Sequence, residues 1–122
     1  MRALIIDDSR TMRMIIGRII RELGFEITEA GDGQEALKRL IEMGTTPELI
    51  MVDWNMPVMN GYEFLKAVRA NPLYESAHIV MVTTETELGQ ITRALEAGAN
   101  EYVMKPFTKE VIRDKLLILG VA

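Results

Sequence analysis

Five short apolar runs, each followed by a longer stretch of helical periodicity, alternate from one end of the chain to the other. That alternation restricts the fold more than any other feature. The runs occupy residues 3–6, 26–29, 49–52, 78–82 and 101–104, and three of them are nearly continuous in apolar residues. Such runs suit parallel strands covered on both faces. Between the first two, Met12, Ile15, Ile16, Ile19, Ile20 and Leu23 mark one face of a helix that stops at Gly24. A second helix carries Ala36, Leu37, Leu40 and Ile41 and opens with Asp32 and, three residues on, Glu35, a capping-box pattern. Asn60 and Glu63 repeat the pattern ahead of Phe64, Leu65 and Val68. A fourth helix is predicted over residues 88–97, stopping at Gly98, and a fifth after a Thr108 cap, with Val111, Ile112, Leu116 and Leu119 inward.

A strand–helix unit repeated five times implies a parallel sheet with helices on both faces and right-handed crossovers. In 122 residues it suits an α/β fold of the flavodoxin-like (βα)5 type, with strand order 2-1-3-4-5. No internal repeat, linker or low-complexity segment interrupts it, so residues 1–122 are expected to form one domain. The net charge of −4 and pI near 5.0 disfavour a general nucleic-acid or anionic-membrane binder, which needs a cationic face, but leave room for a local basic patch. Without cysteine there is no disulfide framework and no thiolate-bound zinc. The first eight residues lack the long apolar segment of a signal peptide, and no stretch approaches the roughly 18 apolar residues of a membrane span. The expectation is a cytoplasmic protein.

In an open α/β sheet, chemistry collects at the carboxyl ends of the strands. Here the first strand runs into Asp7 and Asp8, the third into Asp53, the fourth into Thr83 and Thr84, and the fifth into Lys105 and Pro106. The second, an outer strand in this order, ends in Glu29 and Ala30 with nothing comparable. Taken singly, each polar residue is explained by a strand meeting water: Asp7 and Asp8 could cap the first helix, and Lys105-Pro106 could be a turn. Their concurrence on the central strands is harder to reach by accident. Three carboxylates at one rim repel one another and need a compensating cation, of which Lys105 supplies only one charge. An oxygen-only donor set suits a hard ion such as Mg²⁺, which works with one or two carboxylates, water and a phosphoryl oxygen. A carboxylate can itself take the phosphoryl group, as an aspartyl phosphate, and catalysis then needs mainly positioning and charge neutralisation. Asp53 is the expected nucleophile. Asp8 would hold the metal with Asp7 nearby and the Asn55 backbone carbonyl completing its shell. Lys105 would pair with phosphoryl oxygens, and the Thr83 hydroxyl would donate to one.

These residues resemble the receiver domains of two-component response regulators, over the whole chain. The likeness rests on Asp7-Asp8, Asp53, Thr83 and Lys105-Pro106, in that order after the first, third, fourth and fifth strands. It implies phosphorylation of Asp53 by a partner histidine kinase, a requirement for Mg²⁺, and a cis peptide before Pro106. Asp53-Trp54-Asn55-Met56-Pro57, Thr11-Met12-Arg13, Tyr102 and Lys105-Pro106-Phe107-Thr108 are similar to the chemotaxis, CheY-type subfamily. That likeness implies a chemotaxis kinase upstream and the flagellar motor switch downstream; a phosphorelay outside chemotaxis could use the same domain. It also implies that Asn55 and Glu85 adjust spontaneous loss of phosphate. Thr83 would move toward the phosphoryl group while the Tyr102 ring enters the vacated space, with the fourth helix, fifth strand and fifth helix as readout surface. Thr84 departs from the alanine more usual beside the phosphoryl site, and Ser9 from the aromatic residue of some relatives.

The receiver pattern uses the chain to about residue 119, so the expected output is protein–protein contact by a monomer, without turnover of an external substrate. A small phosphatase with an aspartate nucleophile is the alternative. It fits less well, because such enzymes resemble Asp-x-Asp after a first strand, whereas Asp53-Trp54-Asn55 follows the third. A degenerate receiver would lack Asp53, Thr83 or Lys105, and all are present. Tyr102 could also be an ordinary half-buried strand tyrosine. Arg93, Glu96, Lys109 and Arg113 read as a solvated face, and Trp54 is expected to be partly exposed.

Overall fold

The computed structural model describes residues 1–84 and 89–122. Its elements alternate along the chain: β1 (Arg2–Ile6), α1 (Arg10–Glu22), β2 (Glu26–Ala30), α2 (Gly33–Met43), β3 (Leu49–Asp53), α3 (Gly61–Arg69), a short 3-10 turn (Pro72–Tyr74), β4 (His78–Thr83), α4 (Ile91–Glu96), β5 (Glu101–Met104) and α5 (Lys109–Leu119). The strands form one parallel sheet in the order β2-β1-β3-β4-β5, as the sequence pattern predicts.

Local chemistry sets the helix boundaries. The Ser9, Asp32 and Thr108 side chains each accept a hydrogen bond from a backbone N–H in the first turn of α1, α2 and α5. Asn60 and Glu63 complete a reciprocal capping box at α3. The expected stops at Gly24 and Gly98 lie at φ +97° and +113°, where side chains other than glycine's are strained.

Strand residues alternate between two buried layers. Leu4, Ile6, Ile50, Val52, Ile79 and Met81 pack with Leu40 of α2, Phe64, Leu65 and Val68 of α3, and Ala94 of α4. Ala3, Ile5, Leu49, Met51, Val80 and Val82 pack with Ile16 and Ile20 of α1 and Ile112 and Leu116 of α5. Three residues expected inward are instead exposed: Ile15 (45%), Ile41 (75%) and Val111 (41%). They sit at the margins of their apolar stripes, where the sheet no longer covers the helix. Helix α4 is shorter than expected. Its preceding residue, Gln90, makes no capping bond, and among the helix's own residues only Ile91 and Ala94 are buried. Leu88, the expected start of that helix, lies outside the described residues.

One arginine ties the lower edge together. The Arg69 guanidinium donates to the carbonyls of Gly98 (2.9 Å), Tyr74 (3.0 Å) and Ala77 (2.7 Å) and to Asn100 Oδ1 (2.9 Å). Asn100 Oδ1 also accepts from the Ile79 N–H at the start of β4 (2.7 Å). Arg69→Ala strips donors from several partly buried carbonyls and is expected to cost about 2–4 kcal/mol in urea unfolding. Arg69→Lys should recover little, because an ammonium cannot span the same fork.

Candidate functional site

The carboxyl ends of β1, β3, β4 and β5 converge on one rim. β3 ends on Asp53, which lies opposite Val82 in the β3–β4 register. The chain beyond it is pinned by hydrogen bonds from Trp54 N–H to the Val82 carbonyl (3.0 Å) and from Gly61 N–H to the Trp54 carbonyl (3.0 Å). Asp7 follows β1; its N–H donates to the Ala30 carbonyl (3.1 Å), and its Oδ1 accepts from the Ser9 N–H (2.8 Å). The side chain that caps α1 is therefore Ser9, and the two acids before it are left for other work. Lys105 is held by a bond from its N–H to the Thr83 carbonyl (2.7 Å), and the Lys105–Pro106 peptide is cis.

These constraints aim three acids and one cation at a common point. Lys105 Nζ lies 3.0 Å from Asp53 Oδ1 and 3.2 Å from Asp7 Oδ2. Asp7 is 1% exposed and Asp53 5%, whereas Asp8 is exposed. One carboxylate oxygen from each of Asp7, Asp8 and Asp53 lies within 4.8 Å of the others. Burial, then the neighbouring charge of Asp7, pushes the Asp53 carboxyl up to about 6, although the hydrogen bond and charge of Lys105 pull the other way. Burial works against the Lys105 ammonium, but its hydrogen bond and attraction to Asp53, and to Asp7, outweigh that and hold its pKa above the ordinary value. The cluster thus carries more negative charge than Lys105 neutralises. Its donors are all oxygens, which fits a hard divalent cation.

The other expected site residues are placed unevenly around this point. Thr83 ends β4, fully buried, with Oγ1 donating to the Thr84 carbonyl (3.2 Å). Tyr102 is half-buried on β5 in register with Met81 of β4, and sheet alternation puts Thr83 on that same face. Lys115 Nζ sits 4.2 Å from the centre of the Tyr102 ring and 3.1 Å from Glu101 Oε1. Asn55 is exposed on the loop after Asp53. Glu85 lies outside the described residues.

Trp54 differs from the sequence expectation. It is 5% exposed, stacked on Tyr62 with ring centres 5.6 Å apart, and the Arg93 guanidinium covers the other ring at 4.8 Å. An indole beside a polar rim finds its cover on the adjacent helix. Arg93 is accordingly more than a solvated charge.

Gly61 escaped the sequence reading, and Arg13 entered it only within the family-like Thr11-Met12-Arg13 segment, without its contact to Asp7. Gly61 brings the start of α3 so close that a Cβ there would lie 2.3 Å from the Asp53 carbonyl oxygen. Arg13 donates to the Asp7 carbonyl (2.6 Å) while pairing with Glu29 (3.1 Å). A glycine after a capping asparagine and an arginine on an amphipathic helix carry no local signal of either contact.

Sheet order and acidic rim together define a receiver. Residues 3–117 match the response regulator receiver domain, and the chain belongs to that family. It is 42% identical over 122 residues to chemotaxis protein CheY1 of Helicobacter pylori strain J99, covering 98% of each chain. Over 117 residues it is 44% identical to a chemotaxis protein CheY homolog of Campylobacter jejuni, covering 95% of this chain and 89% of that one. Among solved structures, the chemotaxis response regulator CheY4 of Vibrio cholerae superposes with a TM-score of 0.86 at 35% identity over 97% of both chains. The receiver domain of a Pseudomonas aeruginosa sensor histidine kinase, solved with magnesium in its active-site cleft, gives a TM-score of 0.82 at 27% identity, covering 98% of this chain and 97% of that one. No described helix is long and apolar enough to cross a membrane.

Proposed function

We propose that residues 1–122 act as a phosphorylation-activated switch of a two-component system, charged on Asp53 by a histidine kinase and read out by protein–protein contact. The observation that carries it is the Lys105 ammonium bridging Asp53 and Asp7 inside a cluster of three acids. An Asp53 carboxylate oxygen forms a bond to phosphorus as the phosphorus–nitrogen bond of the kinase phosphohistidine breaks, and the departing imidazole takes up a proton. At neutral pH Asp53, titrating at about 6, is mostly ionised and able to attack. Lys105 turns from the carboxylate to the incoming phosphoryl oxygens, and the Thr83 hydroxyl donates to another. Asp8, Asp7, Asp53 and the Asn55 backbone carbonyl are the groups that would hold Mg²⁺, which when bound supplies neutralisation of charge on the transferring group.

Thr83 and Tyr102, on neighbouring strands and one sheet face, are the switch pair. Recruitment of Thr83 to the phosphoryl group frees space for the Tyr102 ring, and α4, β5 and α5 change their presented surface. Asn55 and Glu85 set the lifetime of the phosphorylated state. The chemotaxis names of the relatives support a chemotaxis kinase upstream and a flagellar motor component downstream.

Incubation with Mg²⁺ and acetyl phosphate is expected to add one phosphoryl group to the intact mass, and omission of Mg²⁺ to abolish the addition. No addition under either condition would leave a receiver that only binds partners. Mg²⁺ alone should stabilise the chain, by about 1.4 kcal/mol at ten times its dissociation constant. Chelation should reverse the gain in a thermal melt.

A further inference from the structure

The sheet ends in an open edge lined with arginine. β2 is the outermost strand, and among the described residues its ladder pairs with β1 alone, leaving a row of backbone donors and acceptors on the other side. Helix α1 covers one face of the sheet and α2 the other, and side chains from both wall a cleft that meets this edge at Glu29 and Ala30. Arg10, Arg13, Arg21 and Arg39 line it, and among the described residues its acids are Glu29 and Glu35. Arg13 is held by Glu29, and Arg39 by Glu35 and Glu42 (3.1, 3.8 and 3.3 Å). Arg10 and Arg21 are exposed and, among the described residues, have no ion pair. Counting the Glu42 that pairs with Arg39, four arginines meet three glutamates here among the described residues, a local positive excess in a chain whose net charge is −4.

We infer that this cleft is a docking site for an extended acidic segment of a partner protein, which adds alongside β2 as a further strand and places carboxylates against Arg10 and Arg21. The dimensions agree. Arg10 and Arg21 stand eleven positions apart on α1, about 16 Å along its axis. The five residues of β2 span about the same length. A single phosphate or small anion would meet only one of the two unpaired arginines. The acidic remainder of the surface disfavours nucleic acid and anionic membrane. Strand addition supplies affinity through the main chain, and the two arginines supply the choice of an acidic sequence. The cleft lies away from the α4–β5–α5 surface, so both faces can be occupied at once.

Anisotropy of a fluorescein-labelled peptide alternating glutamate with valine tests the inference on the intact chain. Saturable binding is expected. It should weaken roughly tenfold in the Arg10→Glu/Arg21→Glu variant, whose far-ultraviolet dichroism and melt verify folding. A similar loss is expected when alternate peptide nitrogens are methylated, because methylation removes strand donors and keeps charge. Binding should persist in Asp53→Asn, which separates this site from the phosphoacceptor. Absence of saturable binding, or equal binding by the charge-reversed variant, overturns the proposal. Equal binding of the methylated peptide does so as well, as does tighter binding of inorganic phosphate, an oligonucleotide or phosphatidylserine vesicles than of the peptide.

Discussion

Asp53→Asn is expected to take up no phosphoryl group from acetyl phosphate while melting at a higher temperature than the unaltered chain. The first outcome follows from chemistry: an amide oxygen is too poor a nucleophile to form the acyl phosphate. The second follows from the cost of the buried charge. Unfolded, Asp53 titrates near the ordinary carboxylate value of 3.8; folded, burial and Asp7 raise it to about 6. Between these values the folded chain binds a proton that the unfolded chain does not, so stability rises as pH falls from 6 to 3.8. Above pH 6 the folded state carries the full penalty of the ionised carboxylate, about 3 kcal/mol. Asparagine removes that penalty and can still accept from Lys105. The gain should be greatest at neutral pH without Mg²⁺, shrink below pH 6, and vanish near pH 3.8. Melts of both proteins across that range check it. A variant less stable at pH 7 than the parent would mean that Asp53 supports the fold more than it strains it.

Gly61→Ala is expected to be the most damaging single-methyl change near the site. The added Cβ would lie 2.3 Å from the Asp53 carbonyl oxygen, 3.0 Å from its carbon and 3.1 Å from Trp54 Cα. All three are backbone atoms, so no side chain can rotate away. Either α3 lifts from the sheet, breaking the bond from Gly61 N–H to the Trp54 carbonyl, or the end of β3 moves and carries Asp53 away from Lys105. Overpacking typically costs 1–3 kcal/mol, and with backbone on both sides the loss should be about 3 kcal/mol. Phosphorylation should slow as well, because catalysis by positioning suffers from sub-ångström displacement. Gly31→Ala is the matched control. Its Cβ would meet nothing closer than 3.7 Å, and urea unfolding should find it near neutral.

The strands, their order and the rim of the site were legible in the sequence for a definite reason. Parallel strands buried on both faces read as apolar runs, and in a doubly wound sheet chain order nearly dictates where their carboxyl ends meet. Asp7, Asp53 and Lys105 could therefore be grouped although 98 positions separate the first from the last. Caps were equally legible, because Asp32, Asn60 and Thr108 bond within three residues of themselves.

Tertiary structure alone decided the quantities that make the rim a site. Adjacent in sequence and identical in type, Asp7 is 1% exposed and paired with Lys105, whereas Asp8 joins the same cluster from its solvent-exposed side. The rise of the Asp53 pKa depends on distances among groups from separate strands. Trp54 is covered by Tyr62, itself capped by Arg93, and periodicity around residue 54 contains neither. Gly61 matters through its approach to a carbonyl eight positions earlier, and the arginine cleft exists only where α1 and α2 flank the open edge of β2. Local pattern encodes which way a residue faces along its own element. What it faces, how dry the contact is and how charges add are set by neighbours brought together from elsewhere in the chain.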